Sequence, residues 1–75
     1  MKLSELKEGQ QGTIVKVGGS GALRRRLLEM GLRSGARLRV EKYAPLRDPL
    51  ELVTNGCHLS LRVEEAAQIL VDHVG

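Results

Sequence analysis

The sequence predicts a small, mainly β fold: a barrel of about five strands, with one helix inserted between the first two strands and a short helical turn before the last. Two observations predict it. Glycine, proline and asparagine recur at short intervals and divide the chain into brief apolar runs typical of short strands. One segment, "ALRRRLLEM", instead carries its apolar residues at helical spacing. We therefore expect one domain over residues 1–75, close to the smallest size at which a single apolar core suffices.

The predicted elements follow one another without a repeat or a linker. A short turn is expected at residues 3–6 and the helix at 22–30, where Ser20 can cap the start and Gly31 can end it in a left-handed conformation. The last helical turn is expected to open near Glu64, because acidic residues favour a helix N-terminus. The strands are expected near residues 12–17, 36–43, 50–54, 57–62 and 69–73.

The segment "LELVTNGCHLSL" predicts a β-hairpin, because Asn55-Gly56 supplies the two positive-φ positions of a type I′ turn between alternating runs. A two-residue loop also fixes the register of the two strands. The predicted pairs are Thr54 with Cys57, Val53 with His58, Leu52 with Leu59 and Leu50 with Leu61. The leucines then share the core face, and the opposite face is solvated and carries Glu51, Val53, His58 and Ser60.

The predicted helix is amphipathic, with a basic rim. At about 100° per residue, Leu23, Leu27 and Met30 fall within one stripe. The three consecutive arginines point in three directions, so they cannot form a single row that faces phosphate. Arg25 and Glu29 lie four residues apart and are expected to interact. The pattern indicates a packed helix.

Two prolines predict a rigid turn after the second strand. Pro45 and Pro49 bracket three residues in "APLRDPL" and remove two backbone donors, which favours a turn or a strand edge.

Charge is distributed unevenly along the chain, whose net charge is +3. Residues 24–47 hold eight basic and two acidic side chains, whereas residues 48–75 hold one basic and five acidic. This pattern fits a basic patch that meets an acidic protein surface or phosphate. It fits equally two ends of one fold that attract each other.

Catalysis and recognition of nucleotides or nucleic acids are not expected. The "GGSG" segment lacks the Lys-Ser or Lys-Thr pair of a phosphate-binding loop, and Arg24 stands where a dinucleotide fingerprint needs glycine. Neither histidine has a serine or carboxylate at a recognisable spacing, so we expect no enzyme. Tyr43 is the only aromatic residue and makes a poor platform for stacking bases, so specific nucleic-acid binding is not expected.

Cys57, His58 and His73 are weak candidates for metal ligands. Cys57 and His58 are successive strand residues, whose side chains point to opposite faces, and no spacing resembles a structural zinc motif. We expect no cofactor and no tight iron or zinc site, and leave a weak association of ferrous iron or zinc open. Cys57 is expected to be a small buried hydrophobe at the hairpin end and His58 a surface residue.

The cellular compartment is predicted from what the chain lacks. One cysteine excludes an internal disulfide, and neither a secretory signal nor a long apolar span is visible. We expect a cytosolic protein that does not insert into a membrane.

Three segments, "LRRRLLEMGLRSGARLRV", "APLRDPLEL" and "LSLRVEEAAQILV", closely resemble the FeoA family, small cytosolic proteins of bacterial ferrous iron transport. The most specific residues are 26–32 with Gly35 beyond them, and 44–46 with 48–49 after them. The resemblance covers nearly the whole chain and implies an SH3-like β-barrel with the helix between its first two strands. It also implies an accessory of FeoB, the membrane transporter with a cytosolic GTPase domain.

The alternative function is a regulatory module, because the same SH3-like domain occurs at the C-terminus of metal-dependent transcriptional repressors. The chain is expected to be free-standing, which favours the transport accessory. Its docking surface for the cytosolic part of the transporter is expected on the exposed rim of the helix and the proline-bracketed turn, where polar groups on rigid supports adjoin an aliphatic surface. The residues are Arg24, Arg25, Leu28, Glu29, Leu46, Arg47 and Asp48.

Overall fold

The computed structural model describes residues 1–73 as one five-stranded antiparallel sheet with two helices. The strands are β1 Gln11–Val17, β2 Arg37–Tyr43, β3 Leu50–Thr54, β4 Cys57–Leu61 and β5 Ile69–His73, and the helices are α1 Gly21–Glu29 and α2 Val63–Ala66. Short 3₁₀ turns occupy Leu3–Glu5 and Pro45–Arg47. None of these helices is long and apolar enough to cross a membrane.

The predicted architecture is confirmed: the fold is mainly β, one helix lies between the first two strands, and a helical turn precedes the last. The strand order is β4-β3-β2-β1-β5, so β1 pairs with both β2 and β5. The sheet is not closed, because β4 and β5 stand at opposite ends of that order. The bounds of the strands, of α1 and of the first 3₁₀ turn differ from the predicted ones by at most one residue at each end, as is usual at frayed ends.

One apolar core lies against one face of the sheet, because side chains alternate along each strand. Leu3 and Leu6 of the N-terminal segment and Leu27 of α1 are fully buried in it. The remaining buried hydrophobic residues of the core are Ile14, Val17, Leu32, Leu38, Val40, Leu50, Leu52, Leu61, Ala66, Ile69 and Val71.

The hairpin between β3 and β4 has the predicted register, from Leu50 opposite Leu61 to Thr54 opposite Cys57. Asn55 and Gly56 have φ angles of 52° and 76°, as a type I′ turn requires. The two-residue loop therefore determines which side chains of β4 face the core.

Helix α1 ends in a Schellman motif around Gly31, which has a φ of 93°. The Gly31 N–H donates to the Leu28 carbonyl over 3.0 Å, and the Leu32 N–H donates to the Leu27 carbonyl over 3.1 Å. Leu27 and Leu32 are both fully buried in the same core cluster. The predicted left-handed termination at Gly31 is confirmed.

The start of α1 differs from the prediction. Ser20 occupies the N-cap position with an extended backbone, but its side chain makes no capping hydrogen bond. Gly21 follows with a φ of 52°, so the residue directly after the N-cap lies outside the right-handed helical region that ordinary capping geometry requires. The expectation of a side-chain cap at Ser20 is wrong.

Candidate docking surface

The proline turn, residues 44–49, holds two consecutive non-glycine residues in the left-handed conformation. Leu46 has a φ of 69° and Arg47 a φ of 64°. Each such residue costs about 1–2 kcal/mol, so the surrounding contacts must hold the turn in place. Two backbone hydrogen bonds contribute, from the Ala44 N–H to the Pro49 carbonyl over 2.9 Å and from the Arg47 N–H to the Ala44 carbonyl over 2.8 Å.

The left-handed conformation of the proline turn exposes the Leu46 side chain to solvent. Its relative exposure is 98%, the highest of the exposed large hydrophobic residues. The sequence predicts an aliphatic docking surface that includes Leu46, and in the structure this side chain is almost fully solvated. A leucine that contributes nothing to the core can supply apolar area to a partner.

Beside Leu46 lies an open groove of about 500 Å³, lined by Lys7, Glu8, Tyr43, Ala44, Leu46 and Arg47. The Arg47 guanidinium carbon lies 4.5 Å from the centroid of the Tyr43 ring, within cation–π distance. Glu8 accepts the Tyr43 backbone N–H over 3.0 Å. Sequence analysis missed Lys7, Glu8 and Tyr43 as neighbours of the turn; the only available signal was the single aromatic residue just before the first proline.

Tyr43 connects the groove to the N-terminal segment. Its hydroxyl donates to the Ser4 carbonyl over 3.1 Å and to the Leu6 carbonyl. Burial raises the pKa of Tyr43 above its ordinary value, with Arg47 opposing this change and Glu8 adding to it. The phenol therefore stays neutral at physiological pH and acts as a structural donor.

Asp48 attaches the proline turn to α2. Its Oδ1 accepts the Val63 N–H over 3.2 Å, and its Oδ2 lies 3.9 Å from Nη1 of Arg62. The Asp48 side chain therefore lies against the first residues of α2, and part of its charge is offset by Arg62.

The rim of α1 carries the other predicted docking residues. Arg24, Arg25 and Glu29 are exposed, whereas Leu28 is half-buried and packs against the core. Within residues 1–73, no ion pair joins Arg25 to Glu29, so the expected interaction is not formed. Both side chains are solvated, which makes an exposed pair of this kind weak at best.

The third arginine of the run has a separate role that sequence analysis missed. Arg26 Nη1 donates to Glu65 Oε2 over 2.6 Å, and Glu65 Oε1 accepts the Arg62 N–H over 2.9 Å. Helix α1 and the proline turn thus both make polar contacts with α2, through Glu65 and through Arg62 and Val63. Their connection is indirect, because no hydrogen bond or ion pair of the described residues joins the rim to the turn itself.

The candidate metal ligands lie apart. His58 is on β4 and His73 on β5, the two ends of the strand order, and both side chains are exposed. Within the part of the chain that the structure describes, no group of three or more His, Cys, Asp and Glu residues is placed to hold a metal ion. His58 is a surface residue, as expected.

Cys57 is exposed, and the expectation that it is a small buried hydrophobe is wrong. It is the first residue of an edge strand, directly after the turn, and among residues 1–73 only β3 flanks that strand. Its partner Thr54 is buried and donates from Oγ1 to the Arg37 carbonyl over 2.7 Å. Because the core does not extend beyond β4 at this end, the same register buries Thr54 and leaves Cys57 in solvent.

Comparisons with known proteins match this chain to one protein family. A family model described as the FeoA domain matches residues 1–73. The Fe(2+) transport protein A/Fe(2+) transporter FeoB fusion protein of Porphyromonas gingivalis is 47% identical over 72 residues, which are 96% of this chain and 8% of the fusion protein. The chain thus spans less than a tenth of the length of that curated relative.

Solved structures agree with the family match. The solution structure of FeoA from Chlorobium tepidum is 45% identical, with a TM-score of 0.93 over 100% of this chain and 71% of that one. FeoA of Stenotrophomonas maltophilia, crystallised in complex with zinc and described as a prokaryotic SH3 domain protein, is 30% identical, with a TM-score of 0.85 over 96% and 89% of the two chains.

The fold also occurs outside these transport proteins. A manganese-dependent transcriptional repressor in complex with manganese reaches a TM-score of 0.90 over 99% of this chain and 36% of its own, at 20% identity. At that identity the likeness shows the SH3-like fold alone.

Proposed function

The chain belongs to the FeoA family, and from this premise we propose that it is a cytosolic accessory of ferrous iron transport that binds the cytosolic part of the FeoB transporter. The proposed contact surface is the proline turn together with the rim of α1. In the Porphyromonas gingivalis relative the two proteins form one polypeptide. Such a linkage gives a high effective concentration, so even a small contact surface can stay occupied.

The exposed Leu46 is the observation that carries this proposal. The chain accepts two left-handed residues in a row, and the result is a leucine in water beside a groove. Burying a leucine in a partner contributes about 1.5–3 kcal/mol, which is enough to make it the main anchor of a small interface.

The rim of α1 supports the proposal through its charge. Arg24 and Arg25 are exposed, and neither takes part in an ion pair within residues 1–73. Two unpaired guanidinium groups on a helix suit an acidic surface of the partner and increase the rate of encounter.

The test is capture of full-length FeoB from solubilised membranes, combined with ferrous uptake in cells that lack the native chain. Leu46→Ala is expected to weaken capture by roughly 10- to 100-fold, because it removes most of the apolar area offered to the partner. The Arg24→Glu, Arg25→Glu double variant is expected to weaken capture and slow uptake while leaving the circular dichroism spectrum unchanged. Leu70→Ala, at an exposed leucine on β5, is the matched control for Leu46, and His58→Ala on β4 is the control for the rim; both are expected to behave as wild type.

The docking surface is wrongly placed if the Leu46 and arginine variants both retain full capture and uptake. It is also wrongly placed if His58→Ala alone abolishes them, which would move the contact to the hairpin.

The regulatory alternative makes a different prediction, because a module acting on nucleic acid would keep a sequence preference at physiological salt. For this chain we expect any affinity for duplex DNA to fall steeply with added salt and to show no preference. Fluorescence anisotropy with two unrelated duplexes at two salt concentrations distinguishes the functions.

A further inference from the structure

The two outer edges of the sheet are protected differently. The free edge of β5 is covered by the start of the chain: Lys2 pairs with Leu70, and Met1 and Val71 exchange backbone hydrogen bonds of 3.2 and 2.8 Å. The other edge is β4, and within residues 1–73 no strand lies beyond it. This edge presents unpaired backbone groups, which are a template for a further strand.

The hairpin determines which groups face outward. In a two-residue hairpin the residues that flank the turn form a hydrogen-bonded pair, here Thr54 and Cys57, and hydrogen-bonded pairs then alternate with non-hydrogen-bonded pairs. The backbone N–H and C=O groups of Leu59 therefore form hydrogen bonds with β3. The N–H and C=O groups of His58 and Ser60 face away from β3. Neither His58 nor Ser60 makes a backbone hydrogen bond to a loop or turn within the described residues.

Nothing in the sequence of β4 blocks pairing at this edge. Proteins protect exposed edges with lysines, other charges or prolines, and Cys57–Leu61 contains no lysine, arginine, aspartate, glutamate or proline. The neighbouring β3 carries Glu51 and the central β2 carries two arginines and a lysine, so the uncharged strand is the one at the open edge.

We propose that β4 is a self-association edge, which pairs antiparallel with β4 of a second copy of this chain about a two-fold axis at Leu59. In that register His58 faces the partner's Ser60, and Ser60 faces the partner's His58. The backbone groups of both residues face outward, so each His58–Ser60 pair exchanges two hydrogen bonds and the two pairs supply roughly four. These pairs fall at the hydrogen-bonded positions of the new antiparallel ladder. Leu59 meets the partner's Leu59 as the close, non-hydrogen-bonded pair between them.

A second copy fits this edge because the edge is complementary to itself. The outward residues lie symmetrically on either side of Leu59, which is the arrangement that an isologous two-fold contact needs. The strand brings no like charges together, although the chain as a whole carries a net charge of +3. The contact is small, so we expect dimers only at concentrations on the order of 0.1–1 mM, or lower where the chain is held at a membrane protein.

The test combines sedimentation equilibrium with amide hydrogen exchange measured by NMR at low and high protein concentration. The His58 and Ser60 amides are expected to exchange fast in the dilute protein and to become protected at least 10-fold as concentration rises. The Cys57 and Leu59 amides bond to β3, so they are expected to stay protected throughout. Those two amides also report that the hairpin is folded.

Variants at Ser60 separate the interface from the fold. Ser60→Lys places the lysines of the two copies at diagonal positions on the same face of the proposed contact, where like charges repel, and is expected to abolish the dimer. Gln11→Lys adds the same charge on the interior strand β1 and is expected to preserve the dimer. Ser60→Pro removes one outward N–H and leaves the hydrogen bonds to β3 intact, so it is also expected to abolish the dimer. If one of the two Ser60 variants fails to fold, the other still tests the proposal.

Three outcomes overturn the proposal. The first is a protein that remains monomeric at the highest concentration. The second is a dimer that persists in a folded Ser60→Lys or Ser60→Pro variant. The third is protection of the His58 and Ser60 amides at every concentration, since that would mean that this edge is covered within one chain.

Discussion

Arg26 of α1 donates to Glu65 of α2 over 2.6 Å, although the two residues stand 39 positions apart in the chain. The pair is asymmetric, because the Arg26 side chain is 56% exposed and the Glu65 side chain only 11%. Glu65 also accepts the Arg62 N–H, which closes the start of α2. The Glu65 carboxylate therefore stabilises the first turn of α2 and also binds α1 through Arg26.

Removal of the Arg26 side chain is expected to destabilise the fold by about 1 kcal/mol, since a mostly buried carboxylate loses one of its two partners while its other hydrogen bond remains. Arg26→Ala is compared with Arg25→Ala in urea unfolding followed by circular dichroism. The Arg25 variant is expected to stay within about 0.5 kcal/mol of wild type. Equal losses in the two variants would show that the Arg26–Glu65 contact contributes nothing specific.

Tyr43 is expected to titrate above its ordinary pKa of 10.0 in the folded protein, because burial raises its pKa. It is the only tyrosine, and the chain has no tryptophan, so phenolate absorbance near 295 nm reports this group alone. The phenol of Tyr43 loses its proton at a lower pH in the unfolded chain than in the folded protein. The contribution of the neutral phenol to folding stability is therefore fully present below pH 10 and is lost as the pH rises through the folded-state pKa of Tyr43.

Tyr43→Phe is the control for that titration. It is expected to remove the tyrosine contribution to the pH dependence of stability, and to cost about 1 kcal/mol at neutral pH through the lost hydroxyl hydrogen bonds. A folded-state midpoint at or below that of the urea-unfolded chain contradicts the prediction.

Gly31→Val is expected to destabilise the protein by about 1–2 kcal/mol. Apart from its two chain neighbours, no described residue has an atom within 4 Å of the position where a Cβ would be added, so the cost comes from the left-handed φ of 93° and not from a clash. Gly31→Asn, which tolerates this conformation better, is expected to lose less. An unchanged melting temperature for the valine variant would mean that the helix terminates differently in solution.

No tight iron or zinc site is expected, because the three candidate ligands are exposed and lie on separate strands or on opposite faces of one strand. Calorimetry on metal-free protein with ferrous iron and with zinc is the measurement. Stoichiometric binding at micromolar or lower Kd that is lost in Cys57→Ser, His58→Ala or His73→Ala would contradict the prediction. Stabilisation of the fold by either metal in thermal unfolding would do the same.

The elements that the sequence predicted best are those specified by neighbouring residues. The Asn55-Gly56 turn sets the register of a whole hairpin, and Gly31 sets the end of α1, because each requires a backbone conformation that few other residues adopt. The proline turn is also predicted from local sequence, because its two prolines remove backbone donors. Its two left-handed residues were not predicted, since neither leucine nor arginine favours that conformation locally.

Features set by distant parts of the chain could not be predicted in the same way. The partner of Arg26 lies on another helix, and the pattern of three arginines gave no means to distinguish it from Arg25. Residue type predicts a buried Cys57, but the burial of its side chain depends on whether another part of the chain covers the end of an edge strand. The ion pair of Arg26 and the exposure of Cys57 both depend on tertiary packing and not on local conformational preferences.

The pairing of Met1 with Val71 has a consequence for how the protein forms. The two residues are separated by 70 positions, so this edge of the sheet cannot form until Val71 has been synthesised. Until then the apolar residues at the start of the chain, Leu3 and Leu6, have no β5 against which to pack. Closure of this edge is therefore expected to follow formation of the local hairpin between β3 and β4, because joining residues 70 positions apart costs more chain entropy than joining strands across a two-residue turn.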